Sequence, residues 1–284
     1  MTCANMNESL ISFVKGIKNL PTIPLIAQKI LGLLGDNQLS VDKIEGIIEK
    51  DPAISAKILS VANSAFFGFQ VSSDLLRNAI MRIGFDNVKN IAIGISLMTI
   101  LDDGKRGKAF DYRRVFNHSI AVGFTSRLIS KKMKLDNADD ALMNGMLHDL
   151  GYLVLSGYSQ EAYREVLYTF EEGTPLLDAE KEVLHFTHSE VGSWLAEEWK
   201  LPEIIMDINM FHHAPSLAQR NSRQVAAIHI ADYLTSRNIM GPTEKDPKYP
   251  LDLSSLEILG ISEKDLKDME ESIGGVPFDD GIFK

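Results

Sequence analysis

The chain has 284 residues, 45% hydrophobic, 24% charged and 8% aromatic, an ordinary globular composition that excludes a disordered, collagen-like or membrane-embedded protein and allows one large domain or two modest ones. Its net charge is −10, with 9 basic and 9 acidic side chains up to residue 102 and 20 against 30 beyond it. That acidic C-terminal excess repels a phosphate backbone and argues against nucleic acid as a partner, and one cysteine, Cys3, excludes an intrachain disulfide or a multi-cysteine metal site.

Apolar residues recur at helical spacing along the chain, and strand signals are nearly absent. An all-α protein is predicted. Ile23, Leu25, Ile26, Ile30, Leu33 and Leu34 form one helix face, with Pro24 in the first turn, and Ile44, Ile47 and Ile48 begin another. Asp36 and Ser40 offer N-caps, Asp51-Pro52 pairs a cap with proline at the first helical position, and Gly35, Gly68, Gly84 and Gly104 mark helix ends. Helices are expected near 6–18, 22–34, 40–49, 52–61, 72–82, 86–100, 111–133, 136–147, 150–155, 158–171, 174–186, 188–199, 202–212, 221–238, 253–258 and 262–272. Residues 241–253 hold three prolines and read as a linker before a short tail of net charge −6 over residues 242–284.

The longest apolar stretch, Ile91–Leu101, is interrupted by Gly94 and Ser96 and is shorter than the roughly 20 residues that span a bilayer. No basic region precedes the first apolar residues, so neither membrane contact nor a secretory signal is expected, and a cytoplasmic location is. Two surface features stand out. The basic run Lys105, Arg106, Lys108, Arg113 and Arg114 reads as a solvated loop and helix start, and Phe66, Phe67 and Phe69 around Gly68 read as either an interface patch or internal packing.

All seven histidines fall between 118 and 229. His148-Asp149, followed by Gly151, offers an imidazole nitrogen and a carboxylate at one helix end, a donor pair that suits a divalent or trivalent first-row metal. Companions lie on other helices, as a site within a helical bundle requires. His118 sits in an amphipathic helix, and Asp232 is a carboxylate in the apolar word AAIHIADYL, where it needs a partner: a metal, a cap or Arg223. His118, His148, Asp149 and Asp232 are expected to form one set, and His188 with the adjacent His212-His213 a second. His185 is read as peripheral and His229 as a core residue that can also support Asp232.

The order His118, His148-Asp149, His188, His212-His213, Asp232 resembles the HD superfamily of metal-dependent phosphohydrolases, and the surrounding sequence resembles its HDOD branch. The segments LPTIPLIAQKIL, VDKIEGIIEKDPAISAKILSVANSAFFG and AIMRIGFDNVKNIAIG carry that branch's N-terminal pattern, and NHSIAVG, GMLHDLGYLVL, HSEVGSWLAEEWKLPEIIMDIN and FHHAP continue it. The resemblance covers about residues 15–237 and implies an HDOD domain over 1–237, with an N-terminal helical lobe at 15–105, an HD-like lobe at 106–237, and a linker and acidic appendage at 238–284.

A bacterial signalling or regulatory module is implied, with a signalling protein as partner, a nucleotide or phosphate as candidate ligand, and one or two ions of iron, manganese, nickel or magnesium. The alternative is a metal-dependent phosphohydrolase in which His148 and Asp149 are catalytic and Asp149 can also bridge two ions. Against it, Ala214-Pro215-Ser216 follows His212-His213, where cyclic-di-GMP hydrolases of the superfamily carry a glutamate and a Gly-Tyr-Pro motif. Tyr152 also stands where those hydrolases place a lysine, and it brings no positive charge to a phosphate. Arg113, Arg114 and Lys131 are the remaining candidates for meeting one.

Overall fold

The computed structural model describes residues 7–17, 20, 22–32, 40–64, 75–101, 112–240 and 250–274. Cys3, Gly35, Asp36, Phe66, Phe67, Gly68, Phe69, Gly104, the basic cluster at 105–108, the Arg113 side chain and most of the expected linker lie outside them. Among the described residues every regular element is helical.

Six helices come first: α1 (Glu8–Gly16), α2 (Leu25–Leu31), α3 (Val41–Ile48), α4 (Pro52–Ala62), α5 (Leu76–Ile83) and α6 (Phe85–Ile100). Their starts follow capping chemistry. Asn7 accepts from Leu10 N–H, Ser40 from Lys43 N–H, and Asp51 from Ala53 and Ile54 N–H, with Pro52 behind it at the first helical position. Pro24 sits at the N-cap of α2 rather than within its first turn. Gly84, at φ 90°, ends α5 and begins α6, a conformation that glycine adopts without a Cβ penalty.

The remaining helices are α7 (Tyr112–Lys132), α8 (Ala141–Met146), α9 (Leu150–Tyr158), α10 (Gln160–Glu171), α11 (Leu176–Leu184), α12 (His188–Glu198), α13 (Glu203–Phe211), α14 (Ser222–Met240), α15 (Ser254–Leu259) and α16 (Glu263–Gly274), with a 3-10 turn at Pro215–Leu217. The helix expected over 136–147 is shorter. Residues 136–140 are turns, because Lys134 and Asn137 take left-handed φ values of 52° and 55° and the chain cannot run straight on from α7. The α14 helix in turn reaches Met240, past the expected end at 238.

One apolar core draws on described residues from Leu10 in α1 to Ile205 in α13. A second joins Val122 and Ile129 of α7 to Val225 and Leu234 of α14 and to Leu256, Leu259, Leu266 and Met269 of α15 and α16. The α7 helix serves both cores, with Phe116, Ile120 and Phe124 turned to the first. It lies against α8 closely, because a Cβ on Gly145 would come within 2.6 Å of the Gly123 Cα. Glycine at both positions lets the helix that carries His118 approach the one that leads into His148.

Candidate metal centre

Five helix ends or faces deliver the histidines and aspartates to one place. His118 comes from α7 and Asp232 from α14, His148 and Asp149 from the turn between α8 and α9, His188 from the start of α12, and His212 and His213 from the end of α13. A capping box fixes the start of α12: Thr187 accepts from Glu190 N–H while the Glu190 carboxylate accepts from Thr187 N–H. The neighbouring start of α9 depends on Gly151, since a Cβ there would strike the His188 carbonyl.

The seven side chains meet in two adjoining groups. His118 Nε2 is 2.8 Å from Asp232 Oδ1, and His148 Nε2 is 3.9 Å from the same oxygen. Asp149 Oδ1 is 3.4 Å from both His188 Nε2 and His212 Nε2, and His188 Nε2 is 3.0 Å from His213 Nε2. By donor spacing Asp149 belongs with the second group, whereas the sequence reading placed it in the first. It still touches both, because its Oδ2 is 3.3 Å from His148 Nε2.

Hydrogen bonds fix which ring nitrogen faces inward. His148 Nδ1 donates to the Gly145 carbonyl at 2.8 Å and His212 Nδ1 to the Ile208 carbonyl at 2.9 Å, so in the neutral rings each Nε2 presents a lone pair. His188 Nδ1 donates to Glu180 at 2.8 Å, and Glu180 also accepts the His188 N–H at 2.9 Å. A carboxylate behind a histidine in this way is how metal-ligating imidazoles are oriented. Glu180 is fully buried and was not among the residues picked out from sequence. Its signal was there to be read, since Glu180 follows Leu176 by four and Ala179 by one on the apolar face of α11.

His148, His212, Asp149, His188, Asp232 and His118 are all buried, and His213 is half-buried. Buried polar atoms ordinarily find hydrogen-bond partners, yet His148 Nε2, His212 Nε2 and Asp149 Oδ1 make none. The spacing suggests what they await. Around an ion bound at about 2.1 Å, neighbouring donors lie about 3.0 Å apart at right angles and about 3.4 Å apart in a tetrahedron, and the Asp149–His188, Asp149–His212 and His188–His213 contacts of 3.4, 3.4 and 3.0 Å match these. The residues therefore fit a metal, with imidazole and carboxylate donors suited to a first-row transition ion.

Charge is unevenly shared. Burial lowers the basicity of His148, but the Asp149 and Asp232 carboxylates outweigh it and push its pKa up to about 9. Burial would raise Asp149, yet His148, His212 and His188 hold it well below the usual carboxylate range, and His118 and His148 hold Asp232 down in the same manner. His213 is pushed well below its ordinary value by burial, reinforced by His212 and His188.

Asp232 thus pairs with His118 and not with Arg223, which lies nine residues and about 14 Å back along α14. His185 is exposed, in the left-handed C-cap of α11. His229 donates from Nδ1 to the His212 carbonyl at 2.7 Å and accepts the Asp252 N–H at Nε2, 2.8 Å away. Tyr152 is buried edge-on to His188 at 6.2 Å between ring centroids, and burial pushes its phenol pKa up, so it stays a neutral hydroxyl. Lys131 is not at the centre: its Nζ is 2.8 Å from Asp139, which also takes Arg127 at 3.1 Å.

Comparison with known proteins identifies the family and the fold. The sequence model of the HDOD domain matches residues 20–215. An uncharacterized protein of Treponema pallidum (strain Nichols) is 25% identical over 211 residues, 71% of this chain; the match takes in 39% of that relative, so the chain spans about two fifths of its length. Solved structures share the fold. An HDOD domain protein of unknown function from Geobacter sulfurreducens has a TM-score of 0.76 at 23% identity, covering 96% of this chain and 90% of that one. A protein of Shewanella amazonensis SB2B, provisionally named a phosphohydrolase, has 0.74 at 19%, covering 97% and 96%. A protein of Marinobacter aquaeolei VT8, provisionally named a signal transduction protein, has 0.75 at 20%, covering 96% and 63%.

Proposed function

The chain belongs to the HDOD domain family, and on that premise we propose that it is a bacterial signalling module whose HD-like centre holds one or two metal ions with little or no catalysis. The observation that carries this reading is a complete donor set in a closed setting. Two adjoining groups of imidazole and carboxylate donors, Asp149 with His188, His212 and His213 and His118 with His148 and Asp232, include His148, His212 and Asp149 atoms without hydrogen-bond partners, while six of the seven side chains are buried. Catalytic metal sites keep a position open to substrate, and structural or sensing sites need none. Tyr152 reinforces the point by placing a neutral ring against His188. A signalling protein is the partner this reading calls for, and a nucleotide or phosphate is the candidate ligand.

The test is the metal content of protein purified without chelator or tag-bound metal. One or two equivalents per chain are expected, lost in a His148→Ala variant that keeps its helical circular dichroism. A folded wild-type protein that takes up no added iron, manganese or nickel would sink the proposal.

One observation favours phosphohydrolase action as the second reading: Asp149 lies between the two donor groups, a carboxylate placed to bridge two ions. Bound ions in such a pair supply Lewis acidity and lower the pKa of water beside a phosphate ester. Arg114 would help orient that ester, being exposed at the start of α7 and near enough to Tyr152 to act on its hydroxyl electrostatically. Turnover of phosphate esters by the loaded protein, abolished by His148→Ala with Asp149→Asn, would favour this reading; no turnover above that double variant would end it.

A further inference from the structure

We infer that His229 is a positioning residue that joins His212 to the C-terminal segment 250–274, so that metal occupancy and docking of that segment stabilise one another. The inference rests on the metal-centre reading above. His212 caps the end of α13, where helix carbonyls lack partners within the helix. Its ring is held by the carbonyls of Ile208 and Asn209, and its own carbonyl is held by His229 Nδ1 at 2.7 Å. The residue is therefore fixed at both ends, which sets where its Nε2 points.

The other nitrogen of His229 accepts the Asp252 N–H at 2.8 Å. One neutral tautomer, protonated at Nδ1, satisfies both bonds. Asp252 in turn organises the start of α15: its carboxylate accepts Ser254 N–H at 2.9 Å and its carbonyl accepts the Ser255 hydroxyl at 2.6 Å. Beyond it, Leu256, Leu259, Leu266 and Met269 enter the core built on Val122, Ile129 and Leu234 of α7 and α14. Those two helices carry His118 and Asp232. The segment thus reaches the centre twice, through packing behind two ligand helices and through the imidazole bridge to a third ligand. His229 and the segment both lie past residue 215, where the family match ends, so the family's sequence pattern does not supply this connection.

Coupling of this kind is reciprocal: whatever factor docking adds to metal affinity, metal adds to docking. The experiment uses the full chain, freed of metal and titrated with Co²⁺, whose visible absorption reports coordination, alongside amide hydrogen exchange across residues 250–274 with and without the ion. His229→Leu fills the space of the imidazole but makes neither bond; about 10- to 100-fold weaker Co²⁺ binding is expected, typical of losing a supporting partner. His229→Gln, whose amide carries a donor and an acceptor, should recover part of that loss. His229→Asn reaches the His212 carbonyl alone, and serves if the leucine variant does not fold: it should bind Co²⁺ more nearly as wild type while losing metal-dependent protection of α15 and α16. Wild-type affinity in folded His229→Leu, or undiminished metal-dependent protection in His229→Asn, overturns the inference and leaves the metal centre standing. No Co²⁺ uptake by the wild type overturns both.

Discussion

Glu180 takes both hydrogens that His188 can offer away from the centre, the main-chain N–H at 2.9 Å and the Nδ1–H at 2.8 Å, and receives the Tyr163 hydroxyl at 3.3 Å. A fully buried carboxylate is costly unless charge-assisted bonds surround it, so this position is worth its expense only if His188 must be held in one tautomer and one orientation. Glu180→Gln keeps the shape but weakens acceptance from the ring. Metal affinity is expected to fall about 10- to 100-fold, with the helical fold retained, measured by titration of metal-free protein. Glu180→Leu strands the His188 N–H groups and should also cost about 1–3 kcal/mol in chemical denaturation.

Gly151 makes a sharper structural demand. A Cβ on it would strike the His188 carbonyl and lie within 2.6 Å of the Gly192 nitrogen, both backbone atoms that cannot swing aside. Gly151→Ala must push α9 from α12 and separate Asp149 from His188. A loss of at least about 1–3 kcal/mol is expected from overpacking, together with loss of metal. Gly46→Ala is the control: it lies inside α3 with nothing within 4 Å of the new Cβ, and should stabilise by about 0.5–1 kcal/mol. Equal urea midpoints for the two variants would refute the close-packing argument.

Lys131 and Arg127 share the Asp139 carboxylate, and Lys131 stands thirteen residues along α7 from His118, about 20 Å away. Neither can meet a phosphate at the centre. Lys131→Ala should leave metal binding and any ester turnover unchanged and shift stability by less than about 1 kcal/mol, as is usual for a largely exposed ion pair. A drop in turnover with unchanged stability would require the centre to extend further along α7 than its ligands do.

Most of the fold was legible because helical periodicity, caps at Ser40 and Asp51, and the glycine at 84 are local signals that the tertiary structure did not override. The turns at 136–140 were not, since Ala141, Leu142 and Met143 continue a helical pattern backwards while the left-handed residues Lys134 and Asn137 carry no apolar mark. The histidines and aspartates of the centre were legible as a set because buried charge in apolar helices is conspicuous. Their grouping was legible only in part: a bridging Asp149 was expected for two ions, but chain order set Asp149 with the first group, whereas its donor spacing sets it with the second. Glu180 was missed for a different reason: in LLDAEKEVL, which also carries Glu182, it resembles an exposed glutamate unless its place on the Leu176 face is counted.

Proton competition supplies the last test. In the metal-free protein the Asp149 and Asp232 carboxylates hold a proton on His148, whose pKa rises from 6.5 to about 9. A raised folded-state pKa stabilises the fold fully below the unfolded value near 6.5, and the contribution disappears as pH climbs through about 9. Metal needs the same Nε2 deprotonated, so ion and proton exclude one another. Near pH 7.5, loading should release about one proton from His148, and affinity should rise with pH up to about 9 before levelling. Titration calorimetry in buffers of different ionisation enthalpy measures that release directly. Thermal melts give the complement: the gap between loaded and chelator-treated protein should widen from pH 6.5 to 9, because the free form loses its proton-borne stability while the loaded form binds its ion more tightly. A gap that narrows over this range would place the proton elsewhere than on His148.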